Sequence, residues 1–215
     1  MITVHKDVLN DKQLNKLLEY HYLDDKRTDT RTTVRSKHPR WDIDKWPQEV
    51  IEPLIDNDSI VEEVIFNEST ISFQIHVDSG YNNPYVNKGI IVPLKCEHGS
   101  TVFFDNYWNS DAAKFVRSED PYSHVKDNTK QITTKDQRIT NYSSIVGYTD
   151  RPFDTVLYNL YLTHIPYDNL HGLIVDKVVQ WTPGDIIVFD RKQLHCASNE
   201  HDHKIGMTVF TNLKH

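Results

Sequence analysis

Residues 184–199 read GDIIVFDRKQLHCASN. Asp185–Phe189 is a short run of apolar, β-branched and aromatic residues, the composition of a buried strand. Pro183-Gly184 supplies a turn before it, so WTPGDIIVF reads as strand, turn, strand. The polar residues Asp190-Arg191-Lys192-Gln193 close that strand. They carry the chain to His195, which lies just past the strand end. Nine residues further on, Lys204 opens another β-rich run, KIGMTVFT (204–211).

Moving upstream, the same grammar returns in SIVEEVIF (59–66), STISFQIHV (69–77), NKGIIVPLK (87–95), STVFFD (100–105) and LIVDKVVQW (173–181). Each run is bounded by Gly, Pro, Asn or Asp turns. Successive strands without intervening helices predict an antiparallel sandwich or barrel. The first third differs. All seven glycines fall from Gly80 onward. LNDKQLNKLLEY (9–20) carries Leu14, Leu17 and Leu18 at helical spacing behind an Asn10 or Asp11 cap. KWPQEVIEPLID (45–56) repeats the pattern, with Pro53 placed to shorten or kink the helix. Short strands are expected at Ile2–Val4 and around Thr32–Arg35. Residues 106–170 break the rhythm: they are polar, have few strand signals and hold seven of the 11 tyrosines. A connection of that length is usually functional or carries small elements of its own.

Composition narrows the class. The chain has 215 residues, 38% hydrophobic and 26% charged, which suits one globular domain. Its net charge of −7 argues against a sequence-blind grip on nucleic-acid phosphates. No apolar run approaches the roughly 20 residues needed to span a bilayer. MITVHKDVLNDKQ lacks the layout of a signal peptide, and Cys96 and Cys196 are too few for a disulfide framework. These features together predict a cytosolic protein with free thiols.

The chemistry starts at His76-Val77-Asp78. In a strand, residues i and i+2 share a face about 6.6 Å apart along the chain, so one imidazole and one carboxylate can reach a common metal ion. Chance alone supplies roughly one His-x-Asp in a chain this rich in both residues. A second copy, His5-Lys6-Asp7, precedes a helix and lacks the β setting. The order of elements distinguishes His76: His-x-Asp at a strand end, further strands, a long insertion, a Pro-Gly turn, a strand leading to His195, and a last strand opening with Lys204.

This order resembles the iron(II)- and 2-oxoglutarate-dependent dioxygenases, over roughly residues 65–213. The resemblance implies a mainly β double-stranded β-helix of jelly-roll or cupin type, flanked by N-terminal helices. A single domain, 1–215, is expected: 1–64 a helical support region, 65–105 and 171–213 the β-helix core, and 106–170 an insertion that could serve as a substrate lid. The resemblance makes His76, Asp78 and His195 the ligands of Fe(II). It makes Lys204 the partner of the far carboxylate of 2-oxoglutarate, with O2 as the other co-substrate. Lys95 is the reserve cation for that carboxylate, and Tyr85 and Thr101 are candidate hydrogen-bond donors to it. Arg191 is a candidate substrate contact or a surface charge. The chain departs from the family pattern at Lys204-Ile205-Gly206, where many relatives have Arg followed two residues later by Ser or Thr. Lys gives a point charge in place of a bidentate fork, and Gly206 offers no hydroxyl.

The implied activity is hydroxylation of an unidentified substrate with release of succinate and CO2. Two alternatives stay open: a cupin-like metalloenzyme that does not use 2-oxoglutarate, and a jelly-roll binding module without chemistry. Cys196, next to His195 in an extended segment, is expected to point away from the metal. His201-Asp202-His203 reads as a solvated turn. Tyr107, Trp108, Tyr158 and Tyr161 are candidates for local core or for a pocket wall.

Overall fold

The computed structural model describes residues 1–24, 28–29, 33–39, 45–78, 85–108, 145–199 and 203–214. Eleven strands are present among them. They are β1 (Thr3–His5), β2 (Thr28–Asp29), β3 (Thr33–Pro39), β4 (Ser59–Ser69), β5 (Val86–Lys95) and β6 (Ser100–Trp108). The others are β7 (Ile145–Val146), β8 (Val175–Gln180), β9 (Ile186–Asp190), β10 (Gln193–Ala197) and β11 (Lys204–Leu213). A seven-stranded sheet has the order β1-β9-β5-β11-β4-β3-β2. In the smaller sheet β6 is central, with β10 on one side and β7 and β8 on the other. Every pairing is antiparallel, as expected from strands that follow one another without helices.

Period-two alternation sorts the side chains into layers. On β9, Ile186 and Val188 face the helices, while Ile187 and Phe189 face the smaller sheet. The helices are α1 (Asp11–Leu23) and α2 (Lys45–Ile51). Leu14 and Leu17 of α1 and Ile51 of α2 pack on Val64, Phe66, Ile90 and Met207 of the large sheet. A fully buried Leu or Ile contributes about 1.5–3 kcal/mol, enough for Leu17 and Ile51 to hold short helices in place. Asn10 starts α1 with a capping box: its side chain accepts from the Gln13 N–H at 3.1 Å, and Gln13 accepts from the Asn10 N–H at 3.0 Å. As Pro53 predicts, α2 gives way to a single 3₁₀ turn at Glu52–Leu54.

Between the sheets, Ile91, Ile187 and Phe189 meet Phe103 and Val179. On the far side of the small sheet, Val102, Phe104, Leu194 and Cys196 are covered by Phe153, Leu162, Ile165 and Leu170. This is the described part of the insertion. It contains a helical stretch, Thr155–Leu157, that widens into a π turn at Tyr158–Leu162. It is a cover for the small sheet. The remainder of the expected lid, residues 109–144, lies outside the described residues. No described helix is long and apolar enough to cross a membrane.

Three expectations change. STISFQIHV is not a strand after Ser69. It runs beside β10 and meets it at the His76–His195 bridge and at one further main-chain bond, from the Ala197 N–H to the Phe73 carbonyl at 3.3 Å. In a regular ladder around that bridge the Gln74 and Gln193 carbonyls would accept the next strand bonds. Here both accept from imidazoles instead. His195, expected just beyond a strand, stands inside β10. The Pro183-Gly184 turn joins strands of different sheets and also anchors the N-terminus. The Gly184 carbonyl accepts from the N–H groups of Val8 and Leu9 at 2.9 and 3.0 Å. Gly184 has φ +96°, and a Cβ there would lie 2.7 Å from the Leu9 carbonyl oxygen.

Candidate metal centre

His76 and His195 are locked back to back through their main chains: each N–H donates to the other's carbonyl, at 2.9 and 3.0 Å. Their rings lie 4.3 Å apart. Each ring is oriented by the carbonyl two residues before it. His76 Nδ1 is 2.7 Å from the Gln74 oxygen, and His195 Nδ1 is 2.9 Å from the Gln193 oxygen. A carbonyl oxygen only accepts, so both Nδ1 atoms carry the proton. Both Nε2 lone pairs are thereby left for a common point. Asp78 completes that point, with its carboxylate oxygens 3.7 Å from His76 Nε2 and 3.3 Å from His195 Nε2. The candidate ligand atoms of all three residues lie within 4.8 Å of one another.

The surroundings fix this geometry. Phe103 and Phe189 pack on the His195 ring at 5.7 and 4.8 Å, and Phe73 lies 6.4 Å from the His76 ring. Both main-chain polar groups of Asp78 are taken by one residue. The Asp78 N–H donates to the Arg191 carbonyl at 2.9 Å, and Arg191 Nε donates to the Asp78 carbonyl at 2.7 Å. Burial pushes the Asp78 carboxyl up. When the metal-free imidazoles are protonated on Nε2 as well, the charges of His195, His76 and Arg191, with a hydrogen bond from His195, more than reverse this and hold it at about 2. The carboxylate is therefore ionised across the neutral range. Two oriented imidazoles and one ionised carboxylate, with no thiolate, form a donor set that fits ferrous iron. Cys196 is turned into the apolar cluster behind the small sheet, where burial pushes its thiol up.

The other candidates separate. Lys204 is buried, and β11's alternation puts it on the large sheet's inner face, opposite Ile205 and Met207. Its Nζ lies 5.2 Å from the Trp181 ring centre. Thr101 is buried beside it and accepts from the Trp181 indole N–H at 2.8 Å. Thr101 stands one inward position from Phe103, which pairs in register with His195. The structure thus groups Lys204, Thr101 and Trp181 near the metal centre. Trp181 escapes a reading of sequence because only the facing of two sheets brings it to Gly206. A Cβ on Gly206 would lie 2.9 Å from the indole, so the missing side chain is the space Trp181 fills. Lys95 and Tyr85 are exposed.

Arg191 takes neither expected place. It is 3% exposed and directs Nη1 to Glu62 at 2.7 Å, the Thr211 carbonyl at 3.0 Å and Asn212 at 3.0 Å. It is a buried anchor for Asp78. The second His-x-Asp is structural too: Lys6 and the Asp7 N–H both bind Asp185. Three histidines that sequence left without a role also find partners. Buried His21 and exposed His203 both bind Glu68, and buried His38 binds Asp24. Residues 201–202 of the expected turn, and the Trp108 side chain, lie outside the described residues.

The chain matches no protein-family model and no curated protein. Its fold does match solved structures. A Trichoplax adhaerens prolyl hydroxylase, in complex with a hypoxia inducible factor peptide fragment, gives a TM-score of 0.52 at 8% identity, over 98% of this chain and 83% of that one. A viral collagen prolyl hydroxylase from Paramecium Bursaria Chlorella virus-1, in a 2-oxoglutarate complex, gives 0.51 at 9% identity, over 100% and 96%. A prolyl-4-hydroxylase from Pseudomonas putida gives 0.51 at 7% identity, over 99% and 92%. At these identities the likeness is one of fold, and the fold is the double-stranded β-helix.

Proposed function

We propose that this chain, which has the double-stranded β-helix fold found in 2-oxoglutarate–iron(II) oxygenases, is itself such an enzyme. It would hydroxylate a substrate and release succinate and CO2. The observation that carries the reading is the shared aim of His76 Nε2, His195 Nε2 and the Asp78 carboxylate, with each Nδ1 proton fixed by a backbone carbonyl. Iron(II) held there supplies the oxidative chemistry with 2-oxoglutarate and O2. The protein's part is orientation, charge and dryness. His76 and His195 present neutral nitrogen donors, and Asp78 presents a negative oxygen. Phe103 and Phe189 keep water from the His195 ring. Lys204, steadied by Trp181 and accompanied by Thr101, offers a buried cation to the far carboxylate of the co-substrate.

The test is succinate release from 2-oxoglutarate in the presence of iron(II) and ascorbate, screened across substrate classes. Wild type should form succinate. His76→Ala and His195→Ala should abolish it, with and without substrate. Unchanged turnover in either variant contradicts the metal assignment.

One observation favours a second reading, a metalloenzyme that does not use 2-oxoglutarate. Trp181 fills the space beside Gly206 and stacks on Lys204, so the indole competes with a carboxylate for the ammonium. Iron binding without any effect of 2-oxoglutarate on its spectrum would select that reading.

A further inference from the structure

The inner face of the large sheet carries a further cation, Arg35, beyond the row that holds Lys204. On β3, Ser36 and His38 are buried, and the His38 ring packs on Phe66 in the layer under the helices. Arg35 therefore projects from the opposite, inward side. It pairs in register with Asn67 of β4, which pairs in turn with Gly206 of β11. Arg35 Nε donates to the Asn67 side-chain oxygen at 3.1 Å. Its guanidinium carbon lies 5.6 Å from the Phe73 ring centre, and that ring is 6.4 Å from the His76 ring. Arg35 is thus within about 12 Å of a proposed iron ligand, the sum of those two steps.

Its charge meets no acid among the described residues. Lys6, Lys37, Lys88 and Arg191 each lie within 4.0 Å of a carboxylate. Arg35 has no carboxylate partner among the described residues, and its four Nη–H donors have no partner there. The guanidinium is half-buried, fixed at one edge by Asn67 and backed by an aromatic face. A planar, pre-oriented fork with free paired donors matches a carboxylate.

We infer that Arg35 receives a carboxylate of the substrate, so that the substrate is an acid whose reacting carbon is presented at the His76 side of the site. The inference rests on the oxygenase reading above. It gives Lys204 and Arg35 separate tasks: Lys204 takes the co-substrate, and Arg35 takes the substrate.

The test uses the full chain, wild type and Arg35→Gln, with iron(II) and 2-oxoglutarate. Succinate release is measured with N-acetyl amino acids against their C-terminal amides, which reports an α-carboxylate. It is also measured with amide-capped peptides containing Glu or Asp against their Gln or Asn counterparts, which reports a side-chain carboxylate. In one series the acid should stimulate release about tenfold or more over its neutral partner, the scale of charge-assisted hydrogen bonds. Arg35→Gln should erase that preference, and Arg35→Lys should keep part of it. No preference for the acid in either series, or an undiminished preference in Arg35→Gln, overturns the inference. The absorbance band that requires both iron(II) and 2-oxoglutarate is recorded on each protein first. Its absence from wild type overturns the oxygenase reading, and this inference with it. Its loss in Arg35→Gln alone places Arg35 at the metal or co-substrate and overturns the substrate assignment.

Discussion

Replacing Arg191 with methionine keeps most of the side-chain stem and removes a buried guanidinium. Two acceptors lose their donor outright: the Asp78 carbonyl, bonded at 2.7 Å, and the Thr211 carbonyl, bonded at 3.0 Å. A buried acceptor left unsatisfied costs about 1–3 kcal/mol. The ion pair with Glu62 adds little, because that side chain is 40% exposed and water takes over; an exposed pair is worth about 0–1 kcal/mol. The stack on Phe210, at 4.6 Å, adds about 1 kcal/mol. Arg191→Met should therefore lose about 3–5 kcal/mol in urea unfolding of the metal-free protein, a large part of a typical domain's stability. Arg191→Lys keeps the charge, reaches fewer acceptors and should lose less. Because the same contact fixes the main chain of Asp78, iron(II) affinity should fall about 10–100-fold in the variants that fold, the usual cost of removing support behind a ligand. A loss below about 0.5 kcal/mol, the range of ordinary surface changes, together with unchanged iron affinity, would refute the anchor role.

Lys204→Ala should raise the 2-oxoglutarate concentration needed for half-maximal succinate release by about tenfold or more, whereas exposed Lys95 tolerates alanine; a shift in Lys95→Ala alone would transfer the role to Lys95. Gly206→Ala should cost about 1–3 kcal/mol by forcing the Trp181 indole aside, and less when combined with Trp181→Leu; additive costs in the double variant would contradict the packing. The Asp78 carboxyl is held at about 2, below its ordinary 3.8, so it contributes stability that is present above pH 4 and lost as pH falls toward 2. Metal-free wild type should therefore lose stability more steeply over that window than Asp78→Asn, and parallel curves would contradict the ionised pairing.

The sequence made the strands legible wherever β-branched residues alternate, as in Ile186–Asp190 and Lys204–Leu213. It made α1 legible because Asn10 and Gln13 form a local cap beside regularly spaced leucines. The three proposed ligands were legible through order along the chain. What escaped depends on distant partners. Ile71, Phe73, Ile75 and Val77 alternate like a strand, but the imidazoles take the carbonyls that would extend its ladder. QLHCA lacks β-branched residues, and pairing with β6 makes it a strand. Arg191 sits in a polar run that reads as surface, while its acceptors at Glu62, Thr211 and Asn212 lie far away in sequence. Trp181 and Gly206 meet only because the two sheets face each other.

The central claim is that His76, Asp78 and His195 hold iron(II) together with 2-oxoglutarate. Its most direct test is anaerobic titration of the metal-free chain with iron(II) and 2-oxoglutarate, followed by visible absorbance. A charge-transfer band should appear only when both are added, saturate at stoichiometric iron, and be absent from His195→Ala. No band in wild type, or the same band in His195→Ala, would contradict the account.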